Sequence, residues 1–150
     1  MKKVLSTLAL FLLFVGVAAA QGYEYKVITS VESIVPMGVG RSRIIENEQE
    51  MDYKTFTSHR TAESNEKNKS KRSEAKVDKL AETKLLNFYS GVGINMQNVA
   101  SNDALITSKL NDLSSQGWDL FTVVSGVESD AGKQDGKGIF ITRYIFRKAK

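Results

Sequence analysis

The first twenty residues decide how much chain there is to fold. Lys2 and Lys3 precede an apolar run from Leu8 to Val17, and Ala18, Ala19 and Ala20 stand before Gln21. A positive start, about ten apolar residues and small residues at a cleavage point are the layout of a secretory signal peptide. The pattern predicts cleavage between Ala20 and Gln21, which makes residues 1–20 a leader and leaves 21–150 as a single domain. The apolar stretch is short beside the ~20 residues a membrane span requires, and no second segment reaches that length. The expectation is a bacterial protein that is periplasmic or secreted, with no stable membrane span after cleavage.

The chain has no Cys and one His. Disulfides, thiol nucleophiles and Cys-based metal sites are therefore excluded, and an exported domain of this kind is held together by packing alone. No metal, cofactor or catalytic residue is expected. Once the leader is removed, 19 Lys and Arg stand against 17 Asp and Glu. The basic stretch Lys67, Lys69, Lys71, Arg72, Lys76 and Lys79 has no interleaved aromatic ring, so the stacking half of a nucleic-acid platform is missing. No nucleic-acid partner is expected.

Residues 23–33 (YEYKVITSVES) alternate apolar and polar and read as a half-buried strand. The only Pro, Pro36, and the glycines at 38 and 40 mark a turn. Arg41 to Glu46 and Met51 to Thr57 read as weaker returning strands. Ser58 to Lys79 holds three apolar residues in 22, too few to offset ordering entropy, so 58–73 reads as a mobile polar insertion. Val77, Leu80, Ala81, Leu85, Phe88 and Tyr89 fall on one helical stripe, which predicts a helix over about 74–89. Ser101, Asn102 and Asp103 offer capping chemistry for a second helix carrying Ile106, Leu110 and Leu113, with Gly117 at its end. Trp118 to Glu128 and Ile139 to Lys148 read as two strands joined by a Gly- and Lys-containing tip. The fold class this predicts is α+β: an antiparallel sheet of three to five strands with two helices packed on it.

Three pieces, EYKV at 24–27, LNDL running through QGWDL at 110–120, and YIFRK at 144–148, resemble a family of short bacterial proteins catalogued as a domain of unknown function. Its members share an EYKV strand, a helix ending in EGWEL and a closing YIFKR strand. About 70 residues separate the first strand from the Gly-Trp helix here, where the short members have a brief link. The resemblance implies the sheet and the helix before Gly117, and no activity.

No sequence motif points to a reaction. The glycines at 132–138 have the wrong spacing for a phosphate loop and precede a strand rather than a helix. Asp130 and Asp135 miss calcium-loop spacing. His59 lies in a polar stretch and reads as solvent-exposed. Function is therefore expected to rest on contacts. If Tyr23, Tyr25, Val27, Trp118, Leu120, Phe140, Tyr144 and Phe146 face the helices, alternation sends Ile28, Phe121, Val123, Ile141 and Ile145 to the opposite sheet face, rimmed by Arg143, Arg147 and Lys26. The candidate binding residues are Phe121, Val123, Ile141, Arg143 and Ile145, for a protein partner or a homodimer. Arg41 and Arg43, beside Gly38 and Gly40, are further candidates, as guanidiniums able to meet an anion. The expected function is an exported, non-enzymatic binding or structural module of the bacterial envelope. The alternative is a small periplasmic enzyme with a polar site around Arg41, Arg43 and the acidic row Glu46, Glu48, Glu50 and Asp52.

Overall fold

A computed structural model describes residues 22–33, 42–90, 92–127 and 138–150. The expected leader, the expected turn at Pro36, Arg41 and the expected tip at 128–137 lie outside the described residues. The strands are β1 (Tyr23–Ser33), β2 (Arg43–Asn47), β3 (Leu80–Lys84), β4 (Tyr89–Ser90), β5 (Gly93–Ile94), β6 (Asp119–Val127) and β7 (Ile139–Ala149), with one α-helix, α1 (Met96–Ser115). Five strands form an antiparallel sheet in the order β3-β2-β1-β7-β6, and β4 pairs with β5 as a small separate ribbon. The long β1–β7 ladder, from Tyr23 opposite Ala149 to Ser33 opposite Ile139, is the spine.

The expectation of two helices on the sheet is corrected: the described residues form a mostly-β fold with a single helix. The segment given a helical stripe supplies β3, which pairs with β2 from Arg43 opposite Lys84 to Asn47 opposite Leu80. Leu80-Ala81-Glu82-Thr83-Lys84-Leu85 favours helix by intrinsic propensity, but that preference is worth only tenths of a kcal/mol per residue. A free β2 edge and a buried site for Leu85, 3% exposed, outweigh it. Residues 71–76 form hydrogen-bonded turns instead of a first helical turn. Met51 to Thr57 is not a strand either. Asp52 accepts a bond from the Lys54 N–H and caps a short 3-10 turn over Tyr53–Phe56. The polar segment 58–73 is exposed almost throughout, with Asn68 and Ser70 bonded back to the Thr55 and Thr57 carbonyls.

The helix begins earlier than its sequence signals indicate. Asn95 is the cap, its side chain accepting from the N–H groups of Gln97 and Asn98. Its end follows the expected chemistry. Gly117 has φ +83°, the left-handed position a helix terminator needs. The Trp118 N–H donates to the Leu113 carbonyl and the Gly117 N–H to that of Ser114. This double bond pattern brings the residue two past the cap against the third residue before it. Those two are Trp118 and Leu113, and both are in the core. The Gly-Trp pair thus ends the helix and seals it against the sheet in one turn. Ile28, Ile44, Leu85 and Phe146 complete the buried cluster, with Ile106, Leu110 and Tyr144 packed on it.

Candidate functional site

Opposed residues in an antiparallel ladder share a face, so the register assigns every side chain. Ile28, opposite Tyr144, and Lys26, opposite the buried Phe146, lie on the helix side. With them go Ser30, Glu32, Ile44 and Glu46. The outer face carries Tyr23, Tyr25, Val27, Thr29 and Val31 from β1, Ile141, Arg143, Ile145 and Arg147 from β7, and Arg43 and Ile45 from β2. On β6 a bulge between Leu120 and Thr122 shifts the register and frees Phe121. Its ring meets that of Tyr25 edge-on at 6.2 Å, which places it on the outer face too.

Phe121, Ile141, Arg143, Ile145 and Arg43 therefore share the face where contact residues were expected. Val123 does not: it pairs with Tyr144 on the helix side. The parity of β1 is the reverse of the expectation. Ile28 is core, and Lys26 bonds Glu46 on the helix side at 2.8 Å rather than rimming the outer face. The three apolar residues Tyr23, Tyr25 and Val27 are added to the outer face. Tyr23 and Tyr25 carry polar hydroxyl tips and stay exposed, whereas the wholly apolar Ile28, one step out of phase with them, takes the interior. A signal of this parity was present in the helix, whose core stripe of Ile106, Leu110 and Leu113 also carries Asn102 and Lys109. Polar groups on an inward stripe require polar partners on the sheet, and Lys26, Glu32 and Glu46 provide them. Asn102 donates to Glu32 and Lys109 to Glu46.

The centre of the outer face is an aromatic and arginine cluster. The Arg147 guanidinium lies 4.9 Å from the Tyr23 ring centre and 4.8 Å from that of Phe121, cation–π distance to both. The Tyr23 and Tyr25 rings lie 6.4 Å apart, tilted by 54° to one another. Tyr25 remains 57% exposed and Phe121 51%. Among the described residues neither Arg143 nor Arg147 has a carboxylate within ion-pair distance, whereas Arg43 is paired with Glu82. The face is thus apolar at its middle and cationic along β7.

The polar residues of the alternative reading do not come together. Arg41 lies outside the described residues. Arg43 and Glu46 point to opposite faces of β2. The strand ends at Asn47, so the alternating carboxylates never form one row, and β2 is an inner strand, between β1 and β3. Asp52 is occupied as a cap. Glu46 is held by Lys26 and Lys109 at 2.8 and 2.6 Å. Burial pushes its carboxyl up, but the bonds and charges of the two lysines outweigh this and hold it below its ordinary value. Lys109 is raised in return, chiefly by its bond to Glu46. Glu48 and Glu50 border an open groove of about 710 Å³ beside Glu24, Lys26, Met51 and Trp118, where the start of β1 runs past the end of β2. Among the described residues no three His, Asp or Glu side chains form a metal-holding group. His59 is exposed, as expected.

No protein-family model matches the chain, and no curated protein and no solved structure does so. The three stretches that carry the resemblance to the short bacterial family are neighbours in space: β1 pairs with β7, β7 with β6, and the Gly-Trp turn joins α1 to β6.

Proposed function

We propose that the chain is an exported envelope protein that acts by protein contact through the outer sheet face, without catalysing a reaction. The observation that carries this reading is the cluster of Tyr23, Tyr25, Phe121 and Arg147, held in a defined arrangement and left in water. Tyr and Arg are the side chains that dominate binding energy at protein interfaces, because they combine large contact area with directional polar groups. A helix covers one face of this sheet, and on the other the apolar residues form a continuous patch with basic neighbours, the pattern of a partner site. The leader pattern supplies the compartment, and the absence of Cys fits a domain that needs no oxidative maturation.

The test uses the full chain expressed in bacteria. A photo-crosslinking residue at Tyr25 is expected to give a discrete adduct in the envelope fraction, and the same group at Thr107, exposed on α1, is not. Intact mass of the unmodified protein from that fraction should lack residues 1–20. Equal labelling at both positions, or none at Tyr25, would overturn the contact reading. A retained leader would replace export of a free protein with anchoring.

A further inference from the structure

The two edges of the sheet differ. One is β3, five residues long and carrying Glu82 and Lys84. The other is β6, nine residues long, and from Leu120 to Val127 (LFTVVSGV) it has no charge and no Pro. Exposed edges are normally blunted by short length, charge or Pro, because their unpaired N–H and C=O groups template pairing with another chain. The β3 edge has these defences. The β6 edge has only its bulge, at the Asp119 end.

Every residue of β6 is exposed, on both faces: Leu120, Val123 and Val127 toward the helix side and Phe121 and Val124 on the outer side. Gly126 has open space where a Cβ would stand, so backbone can approach there without obstruction. Pairing would satisfy backbone groups and bury five apolar side chains together.

We propose that the β6 edge pairs antiparallel with the β6 edge of a second copy of this chain, joining two five-stranded sheets across a two-fold axis. The inference goes beyond the contact reading: it concerns the edge of the sheet rather than its outer face, and names the occupant of that edge. A second copy fits for three reasons. It brings by construction an edge of the same length with the same uncharged run. No like charges meet near the axis, since Asp119 lies at the far end from the strand's middle. And because only β6 is undefended, pairing stops at two copies instead of running on as a filament. The buried area of such an edge is at the lower limit of specific interfaces, below about 1,200 Å² in total. The pair therefore dissociates reversibly on dilution.

Sedimentation equilibrium of the mature chain over a wide concentration range reads this directly. The wild type is expected to show a monomer–dimer equilibrium. Val124→Glu places a carboxylate beside Arg143, its ladder partner, where the single chain accommodates it, but it brings two like charges together near the axis. It is expected to weaken dimerisation at least about tenfold with an unchanged circular dichroism spectrum. Val123→Glu, on the other face of the same strand, is an independent second variant. Tyr25→Ser, two strands from the edge, should leave the dimer intact. A wild type that stays monomeric at its highest soluble concentration overturns the inference, while the contact reading is still judged by the crosslink at Tyr25. Dimerisation lost in Tyr25→Ser and kept in both β6 variants also overturns it, and shows association through the sheet face instead.

Discussion

Asn102 holds the helix to the sheet side it covers, and its replacement tests the assignment of faces. The residue is 0% exposed in the middle of α1. Its amide nitrogen donates to the Leu86 carbonyl at 2.7 Å and to the Glu32 carboxylate at 3.1 Å, and its amide oxygen accepts from the Leu86 N–H at 2.8 Å. It thus pairs with Leu86 as a neighbouring strand would, and ties the segment after β3 to both helix and sheet. Asn102→Leu keeps the number and branching of the side-chain heavy atoms and removes all three bonds. Two neutral bonds at about 1 kcal/mol each, and one to a charged acceptor at about 1.5–3, give an expected loss of roughly 3–5 kcal/mol. That is a large part of the 5–15 kcal/mol typical of a domain.

Asn102→Asp separates hydrogen bonding from packing. The new carboxylate still accepts from the Leu86 N–H, but its second oxygen faces the Leu86 carbonyl and the Glu32 carboxylate. The folded state must favour the protonated acid, so its pKa rises above that of the unfolded chain, about 3.9. Below that value both states hold the proton and the penalty is small. As pH rises the unfolded chain releases the proton first, and stability relative to wild type falls by up to about 1.4 kcal/mol per pH unit until the folded group also ionises. Urea unfolding followed by circular dichroism and by Trp118 fluorescence measures both variants, with an unchanged m-value confirming that compactness is kept. A loss below 1 kcal/mol for Asn102→Leu, or a loss for Asn102→Asp that does not vary with pH, would refute the reasoning.

Two further outcomes follow from the same geometry. Glu46, with its side chain 15% exposed between two lysines, contributes stability that is fully present above its ordinary value of 4.5 and is lost as pH falls through its lowered folded value. Glu46→Gln should cost about 1–3 kcal/mol at neutral pH and flatten the acid limb of the stability profile, as urea midpoints at several pH values would show. Limited trypsin digestion should cut first within 58–73, where Arg60, Lys67, Lys69, Lys71 and Arg72 are exposed and little apolar surface is buried. A first cut between Trp118 and Val127 would contradict this.

Period and turn chemistry made parts of this fold legible. The alternation of 23–33 gave β1, and the β-branched and aromatic runs at the C-terminus gave β6 and β7. Gly117 and Trp118 gave the helix end and its core contact. Legibility failed where local preference and tertiary context disagree. Leu80–Lys84 is a helix former drafted as a strand by an edge that needed a partner. Asn102, read as part of a cap, is a buried bridge, because a helix interior accepts an Asn when all of its amide is bonded. The candidate face was legible in its β7 half, where Arg143 and Arg147 alternate with Ile141 and Ile145. It was misread on β1 because parity is set by a single residue's choice of side, and Ile28 weighed less in the count than two tyrosines. The bulge that frees Phe121 has no sequence signature in LFT.

The distribution of apolar side chains bears on why such a protein would associate at all. Among the described residues six hydrophobic side chains are buried, against seventeen large ones left exposed, and eight of these seventeen lie on β6 or the outer face of β1. A domain without disulfides and with so small a buried cluster has little stability to spare, and the surface able to add to it is concentrated at one edge and one face. If two copies pair through β6, folding and association are linked by mass action, and the melting temperature must depend on protein concentration. Each tenfold rise in concentration adds about 1.4 kcal/mol per dimer, half of that per chain, which for a domain of this size is a shift of about 2–4 °C. Differential scanning calorimetry of the wild type should show that slope, and Val124→Glu should melt below the wild type at equal concentration, its curve displaced to at least about tenfold higher concentration. A wild-type melting temperature that does not move with concentration would mean that the thin core stands alone, and that the apolar edge of β6 contributes nothing to the stability of the folded chain.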